Sequence, residues 1–386
     1  MPGKLISALL ALLILALPAS AFETKARSAF VMDLGTGTVL LAKNADTPLP
    51  PASMSKLMTL YMAFEAIRDG RLSLTEKLRV SEHAMSYKGS SMYLNTRDRV
   101  TVEDLLRGII VLSGNDACVV IAEALSPNGT EAGFAAAMTK RAQQLGMTNS
   151  KFANSNGWPA PDHRMSMRDL ALLSSLLISE FPEFYPMFAE TEFKFDERVP
   201  ANSRNRNPLL KLGIGADGLK TGHTQEAGYG LVGSAKQGNR RVIFVVSGLN
   251  SERERADEAE AIVNWSFRQF AKHKVAEKGA VLAEAGVWMG ASDRVSLAVA
   301  KDVEVLLPVV NGNSVPAEMV FHSPVQAPIA KGQELGALIV RPEGLSEITV
   351  PLIAAQDVAQ GGIMTRIQTA AQILISRLAP APEGGI

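Results

Sequence analysis

Three short motifs, each found once, follow one another along the 386-residue chain. They are Ser53-Met54-Ser55-Lys56, Ser113-Gly114-Asn115 and Lys220-Thr221-Gly222. The first offers a nucleophile with an amine beside it, the second a hydroxyl and an amide, and the third a cation for an anionic substrate group. These functional groups are typical of serine acyl-transfer chemistry.

Ser53 needs a base, because a serine hydroxyl has too high a pKa to attack a carbonyl unaided. Positions i and i+3 of a helix lie on one face, so Lys56 is predicted to lie beside Ser53. A helix that starts at Ser53 would direct free N–H groups and the positive end of its dipole at the developing charge. Burial and a second cation, Lys220, would keep Lys56 neutral part of the time. The alternative is an N-cap serine followed by a solvated lysine, which the apolar sequence around Lys56 disfavours.

The other two motifs are predicted to face the same cleft. Ser113 follows an apolar run and is predicted in a loop between two buried helices, where it would protonate a leaving amine. Asn115 would bind a substrate amide, and a simple capping turn is the alternative for this motif. Lys220 and Thr221 begin strand-like sequence, and an ammonium and a hydroxyl on an edge strand suit a substrate carboxylate. Gly222 would let the substrate backbone approach closely.

The helix that presents Ser53 is predicted to be central, because apolar residues between Met54 and Ile67 fall on all its sides. A mainly helical block follows over about residues 75–195, with strand-like sequence before and after it. The fold class is therefore α+β. The predicted flanking elements are strands at 28–33, 38–41, 229–235 and 241–248 and a helix at 256–270.

Three further segments are predicted outside this first domain, which spans residues 22–273. Residues 1–21 indicate a secretory signal peptide, with a lysine, an apolar run and a small-residue cleavage site. Residues 274–356 alternate as a small all-β domain. Residues 357–386 contain a basic amphipathic helix that docks either on a membrane or on the β domain. Because export brings this helix close to a membrane, the membrane surface is the predicted partner.

The composition disfavours several function classes. The 39 Lys and Arg residues balance 39 Asp and Glu residues, so no bulk field draws the chain to nucleic acid. The single cysteine, Cys118, lies in apolar sequence and is predicted to be a buried, inert thiol. The five histidines lack metal-ligand spacing, and neither His-Glu-x-x-His nor Gly-x-Ser-x-Gly occurs. No metal or cofactor is therefore predicted.

In combination, the motifs resemble those of the D-alanyl-D-alanine carboxypeptidases of the low-molecular-mass penicillin-binding protein family, which share their fold with class A β-lactamases. The likeness covers nearly the whole mature chain and includes Pro51–Lys56, Gly89–Met92, Leu112–Ala117 and Gly218–Thr224. It implies a β-lactamase/transpeptidase-like domain, an antiparallel sheet flanked by helices with an inserted helical subdomain. A small all-β domain and a C-terminal amphipathic helix would follow.

The resemblance also implies a reaction. Ser53 would attack the carbonyl between the last two D-alanines of a peptidoglycan stem peptide, and Lys56 would take its proton. Ser113 would help to protonate the leaving D-alanine, and Asn115 would steady the peptide. Water would then release the acyl-enzyme, while β-lactam antibiotics would trap Ser53 by mimicking the substrate.

The substrate-binding residues implied by the resemblance lie on the third motif and just after it. Lys220 and Thr221 would hold the terminal carboxylate, with Gly222 beside them. The backbone N–H groups of Ser53 and His223 would form the oxyanion hole. The enzyme would work at the periplasmic face of the bacterial inner membrane, peripherally attached.

Three alternatives compete with this interpretation. Fast deacylation in class A β-lactamases depends on a glutamate that acts through a water, but no glutamate occurs between Glu131 and Glu180, where the acids are Asp162 and Asp169. This argues against efficient β-lactam hydrolysis. Endopeptidase action on the same type of bond stays open. A catalytically silent cell-wall binding protein is disfavoured, because the nucleophile and its base are both present.

Overall fold

The computed structural model describes residues 22–196, 198, 202–309, 315–362 and 367. The predicted signal peptide, residues 1–21, lies outside the described residues. Of the predicted amphipathic segment, residues 357–386, only 357–362 and 367 are described. Across the described ranges, no helix combines the length and the apolar character that crossing a membrane requires.

Seven α-helices and fifteen β-strands form the regular structure of the described residues. The helices are α1 (Lys56–Arg68), α2 (Glu82–Ser86), α3 (Val102–Arg107), α4 (Asn115–Leu125), α5 (Glu131–Gln144), α6 (Met167–Glu180) and α7 (Glu252–Arg268). The strands of the first domain are β1 (Ser28–Asp33), β2 (Val39–Lys43), β3 (Lys77–Arg79), β4 (Arg99–Thr101), β5 (Ala216–Thr224), β6 (Gly228–Gln237) and β7 (Arg240–Leu249). The later strands are β8 (Phe270–Ala276), β9 (Val281–Trp288), β10 (Arg294–Val299), β11 (Val303–Pro308), β12 (Ala317–Phe321), β13 (Val325–Gln326), β14 (Glu334–Val340) and β15 (Ile348–Ala354).

A five-stranded antiparallel sheet, in the order β2-β1-β7-β6-β5, lies at the centre of the first domain. Successive side chains of a strand point to opposite faces, so the side chains of β7 pack in two different cores. Ile243 and Val245 join the core that contains α1, whereas Val242 and Phe244 join the core that contains α7. Strand β5, which includes Lys220, lies at one edge of this sheet.

Helix α1 is buried around its whole circumference, as its sequence predicts. Leu57, Leu60 and Phe64 are all 0% exposed, and the helix contacts α4, α5 and α6. The ring of Phe64 also stacks on Phe184, with 4.7 Å between the ring centroids. The turn that precedes α1 is therefore attached to a helix that lies in the core of the domain.

The named elements in the described part of the second domain are all strands. Its six-stranded sheet has the order β12-β14-β15-β10-β9-β13, and β8 pairs separately with β11. The α+β fold followed by an all-β domain is thus confirmed, while the predicted C-terminal helix lies outside the described residues. Strand β8 begins at Phe270, before the predicted boundary at residue 274, and Val358 packs in the β-domain core beyond the predicted end at residue 356.

Candidate active site

Ser53 lies in a helical turn, Ala52–Ser55, that leads directly into α1 at Lys56. The Nζ atom of Lys56 donates a hydrogen bond of 2.9 Å to Ser53 Oγ. The turn is of the tighter 3₁₀ type, in which residues three apart also share a face. Ala52 has a φ of 48°, in the left-handed region that side chains disfavour. The packing around α1 therefore holds the nucleophile on a strained turn.

Lys56 is buried, and its three hydrogen-bond partners are uncharged. Besides Ser53 Oγ, its Nζ donates to Asn115 Oδ1 at 2.7 Å and to the backbone carbonyl of Asn156. Burial disfavours the ammonium form and lowers the pKa of Lys56 to about 8. Near neutral pH, a useful fraction of this amine is therefore able to accept a proton.

Two cations lie near Lys56. Beyond the effect of burial, Arg206 lowers the pKa of Lys56. Lys220 is the second cation that the sequence predicts, and burial and repulsion from Lys56 lower its pKa well below the ordinary value. The carboxylates of Asp116 and Glu131 act in the opposite direction on Lys56, because they favour its ammonium form.

The second and third motifs meet at a hydrogen bond of 3.0 Å from Lys220 Nζ to Ser113 Oγ. Lys220 is 2% exposed and lies in the buried middle of β5. Ser113 follows the π-helical turn Gly108–Leu112 and has left-handed backbone angles, φ 61° and ψ 34°. Such a conformation costs a residue with a side chain about 1 kcal/mol or more, so tertiary packing must hold Ser113 in place.

Asn115, the first residue of α4, has both ends of its side-chain amide bonded within the protein. Its Oδ1 accepts from Lys56 Nζ, and its Nδ2 donates to the Lys88 carbonyl at 2.7 Å. The sequence predicts that Asn115 binds a substrate amide, whereas the contacts observed here connect Lys56 to the loop at Lys88. In this structure, Asn115 therefore orients the lysine.

Gly222 lies where β5 packs against the turn that carries Ser53. A Cβ atom at this position would lie 3.0 Å from Met54 Cγ and 3.0 Å from the Pro51 carbonyl oxygen. The sequence predicts that Gly222 lets the substrate backbone approach, and in the structure this glycine also lets β5 approach the turn that carries Ser53. Thr221 is 8% exposed beside Lys220, and the exposed ring of His223 stacks on Tyr229 with 3.8 Å between centroids.

Two arginines that belong to no motif extend the positive end of the site. Arg206 donates to the Leu112 carbonyl at 2.7 Å and to Ser90 Oγ at 2.9 Å. Arg255 on α7 is 5% exposed, and its guanidinium donates to the Arg206 carbonyl at 3.4 Å. Sequence reasoning missed both residues, because an isolated arginine in a loop or on a helix has no spacing that marks it.

Asp116 is a further residue that sequence reasoning assigned no role, although it directly follows Asn115. This carboxylate is 1% exposed and accepts from Ser91 Oγ at 2.6 Å and from the backbone N–H groups of Met92 and Leu94 at 2.9 and 3.0 Å. It fixes the loop that presents Ser90 to Arg206.

The two acidic residues between Glu131 and Glu180, Asp162 and Asp169, both bond to groups other than Ser53 and Lys56. The side chain of Asp162 is 73% exposed and pairs with Lys151 at 3.2 Å. Asp169 is buried and accepts from the Asn149 N–H and from Ser150 Oγ. Neither carboxylate has a hydrogen bond to Ser53 or Lys56 in this structure.

The loop that supplies the Asn156 carbonyl has no space for a side chain at Gly157. Its φ is 83°, and a Cβ there would lie 1.9 Å from the Ala52 carbonyl oxygen. We expect Gly157→Ala to lower the free energy of unfolding by about 3 kcal/mol, because the loop and the Ser53 turn must separate. We also expect it to slow penicillin labelling of Ser53. Urea denaturation and labelling with a fluorescent penicillin measure the two effects.

Gly129→Ala is the matched control for that substitution. Gly129 also has a positive φ, 72°, but nothing lies within 4 Å of its Cβ position. The same backbone strain without the clash should cost only about 1 kcal/mol and leave labelling unchanged. Equal losses of stability in the two variants would contradict the packing argument.

Together, the fold and a serine hydrogen-bonded to a buried lysine define a serine acyl-transfer enzyme. Two protein-family models match the chain. Residues 16–251 match Peptidase_S11, D-alanyl-D-alanine carboxypeptidase, and residues 270–360 match the C-terminal domain of penicillin-binding protein 5. The chain belongs to the D-alanyl-D-alanine carboxypeptidase family of serine peptidases.

Known relatives match most of the chain. D-alanyl-D-alanine carboxypeptidase DacC of Escherichia coli (strain K12) is 36% identical over 351 residues, which are 89% of this chain and 86% of that protein. The crystal structure of penicillin-binding protein 5 from Haemophilus influenzae has a TM-score of 0.78 at 34% identity and covers 88% of this chain and 98% of that one. Penicillin-binding protein D2 from Listeria monocytogenes, solved in an ampicillin-bound form, has a TM-score of 0.57 at 33% identity, with 63% and 98% covered. The predicted family, fold and enzyme class are confirmed.

Proposed function

We propose that the protein removes the terminal D-alanine from peptidoglycan stem pentapeptides through an acyl-enzyme on Ser53. The observation that supports this most directly is the 2.9 Å hydrogen bond between Ser53 Oγ and Lys56, whose pKa is about 8. A neutral amine at this distance is placed to accept the serine proton. The substrate class follows from the family and from relatives named D-alanyl-D-alanine carboxypeptidases.

In the acylation step, Ser53 Oγ attacks the carbonyl carbon of the penultimate D-alanine while its proton passes to Lys56 Nζ. The C–N bond to the last D-alanine then breaks, and its amine takes a proton through the hydroxyl of Ser113, which Lys220 Nζ contacts at 3.0 Å. Backbone N–H groups of Ser53 and of His223, on edge strand β5, are the proposed donors to the oxyanion.

The terminal carboxylate of the substrate is bound at the positive end of the site. Lys220 and Thr221 are the proposed direct ligands, and Arg206 and Arg255 add their charge nearby. Because burial lowers the pKa of Lys220, an arriving carboxylate would favour the protonated form of this lysine. The protein therefore recognises the free carboxyl end of the peptide, as a carboxypeptidase must.

Water completes the cycle by attacking the ester carbonyl of the acyl-enzyme, which frees Ser53. A β-lactam forms the same ester with Ser53 by opening its ring. Since Asp162 and Asp169 are both bonded elsewhere, we expect this penicilloyl ester to be long-lived. The ampicillin-bound form of the Listeria relative supports the assignment of β-lactams as inhibitors.

The proposed binding of the substrate carboxylate by Lys220 is tested with matched peptides. One ends in D-Ala-D-Ala with a free carboxylate, and the other ends in the C-terminal amide of the same sequence. We expect the wild type to prefer the free acid by about 10²-fold in kcat/KM, and Lys220→Gln to reduce this preference to less than about tenfold. Release of D-alanine or its amide is measured by chromatography. Lys236→Gln, at an exposed position of β6, is the control. An unchanged preference in Lys220→Gln would show that other groups read the carboxylate.

The proposed location is the periplasmic face of the inner membrane, with residues 1–21 as the export signal and residues 357–386 as the peripheral anchor. Within Gly362–Leu378, apolar residues recur at helical spacing, and Arg366 and Arg377 are the only charges. Such a segment suits the interface between lipid headgroups and acyl chains. The β domain would hold the active site away from the membrane and toward the cell wall.

Removal of residues 363–386 tests the anchor. We expect the shortened protein to move from the membrane pellet to the soluble periplasmic fraction, because its apolar helical face is gone. Immunoblots of the separated fractions measure the change, and fluorescent penicillin labelling shows that the enzyme is still folded. A full-length Arg366→Glu/Arg377→Glu variant should be released only in part. If the shortened protein stays in the membrane pellet, the anchor lies elsewhere.

A further inference from the structure

Glu131, the first residue of α5, is a buried carboxylate with five hydrogen-bond donors. Its side chain is 6% exposed. Its Oε1 accepts from the N–H of Ser155 at 2.9 Å, from Ser155 Oγ at 2.6 Å and from Asn156 Nδ2 at 3.4 Å. Its Oε2 accepts from Tyr87 Oη at 2.7 Å and from His83 Nε2 at 2.9 Å. Burial opposes ionisation, but these bonds outweigh it and hold the pKa of Glu131 below its ordinary value.

The segment that Glu131 anchors also contacts α1. The Ser155 carbonyl accepts from Thr59 Oγ1 at 2.6 Å, and the Asn156 carbonyl accepts from Lys56 Nζ. Ser155 and Asn156 therefore bond to Glu131 on one side and to α1 on the other. The position of a carbonyl that contacts Lys56 depends on a carboxylate that contacts neither Lys56 nor Ser53 in this structure.

The charges around Lys56 come from several elements. Lys220 on β5 and Arg206 oppose its ammonium form, while Asp116 on α4 and Glu131 on α5 favour it. Cys118 on α4 is a buried thiol with a pKa raised to about 12 by burial, so it stays uncharged. Asp116 is tied to the loop at Ser91–Leu94, which leaves Glu131 as the carboxylate joined to Lys56 through a chain of hydrogen bonds.

We propose that Glu131 is a positioning residue for the catalytic base. It fixes the Asn156 carbonyl that Lys56 contacts, and its negative charge favours the ammonium form of Lys56. This inference rests on the proposed role of Lys56 as the base. Glu131 touches no reacting atom and acts through Ser155 and Asn156. Its two effects are separable, because position changes the rate at every pH, whereas charge changes the pH at which the rate rises.

The test is the rate constant for acylation of the mature protein by a fluorescent penicillin, measured from pH 5.5 to 9.5. In Glu131→Gln, we expect the rising limb of the profile to move about one pH unit lower, because a charge that favours the ammonium is lost. We also expect the high-pH limit to fall about tenfold. Glu131→Asp keeps the charge but is shorter, so it should lower the limit and leave the limb within about 0.3 pH unit of the wild type.

Two further variants serve as control and as replacement. Glu258→Gln makes the same chemical change at another buried glutamate, which binds Thr24 on the far side of the sheet, and should leave the profile unchanged. Ser155→Ala removes one bond between Glu131 and the loop and should lower only the high-pH limit. If Glu131→Gln does not fold, as judged by circular dichroism, the profile is measured for Glu131→Asp and Ser155→Ala, and a wild-type high-pH limit in both overturns the inference.

Each outcome separates the proposals. The same loss at every pH in Glu131→Gln and Glu131→Asp would show a purely structural role and overturn the inference, as would a wild-type profile in both. A wild-type protein that penicillin does not label at all would instead contradict the proposed function. A limb that moves in the Gln variant alone supports the inference.

Discussion

Ser53→Ala is expected to abolish the covalent penicilloyl adduct and to lower carboxypeptidase activity by about 10⁴-fold or more. The reason is that the hydroxyl bonded to Lys56 at 2.9 Å would be the only atom of the enzyme that forms a bond with the substrate. Intact-mass spectrometry of the mature protein, with and without benzylpenicillin, measures the adduct directly. Release of D-alanine from a stem pentapeptide measures the activity.

Ser55→Ala is a matched control from the same motif. Ser55 is buried, and its Oγ donates to the Ala52 carbonyl at 3.0 Å, so it supports the turn and is not placed as a nucleophile. This variant should still gain the mass of one penicilloyl group. Absence of an adduct on the wild type, with intact drug, would indicate a silent scaffold; absence with hydrolysed drug would indicate a β-lactamase.

Lys56→Arg is expected to lower the acylation rate constant by about 10³-fold or more at every pH from 6 to 9. An arginine keeps the positive charge but does not lose a proton in this range. The wild-type rate should rise with pH and reach half its maximum near pH 8, the pKa to which burial lowers Lys56. At pH 7, about one tenth of the amine is neutral, so we expect activity to persist there.

The lowered pKa of Lys56 also predicts the direction in which the free energy of unfolding changes with pH. Below pH 8, Lys56 is protonated in both folded and unfolded states; between about 8 and 10.5, only the unfolded chain keeps the proton. The contribution of Lys56 to the free energy of unfolding therefore increases with pH through that window.

Lys151→Arg, at an exposed position, is the control for the Lys56→Arg substitution. An acylation rate in Lys56→Arg close to that of the wild type would exclude Lys56 as the base.

Much of the fold could be predicted because it depends on local pattern. The apolar circumference of α1, the strand-like runs of β6 and β7 and the helix after them are properties of contiguous sequence, and each lies close to its predicted range. The pairing of Ser53 with Lys56 is of the same kind, since three residues of helical backbone bring the two side chains together. Burial of Cys118 follows from its apolar neighbours.

The sequence by itself therefore determined the family, the α+β fold with its β domain, and the residues available for chemistry. Only the tertiary structure decided how those residues are held: Lys56 meets the Asn156 carbonyl across 100 positions of chain, and Lys220 meets Ser113 across 107. It also showed that Arg206 lowers the pKa of Lys56 and that Gly222 lets β5 pack against the turn that carries Ser53. Glu131 was found to bond to the loop that contacts Lys56. The physical reason is that hydrogen bonds and burial depend on distance in space, which spacing along the chain fixes only within a helix, a strand or a turn.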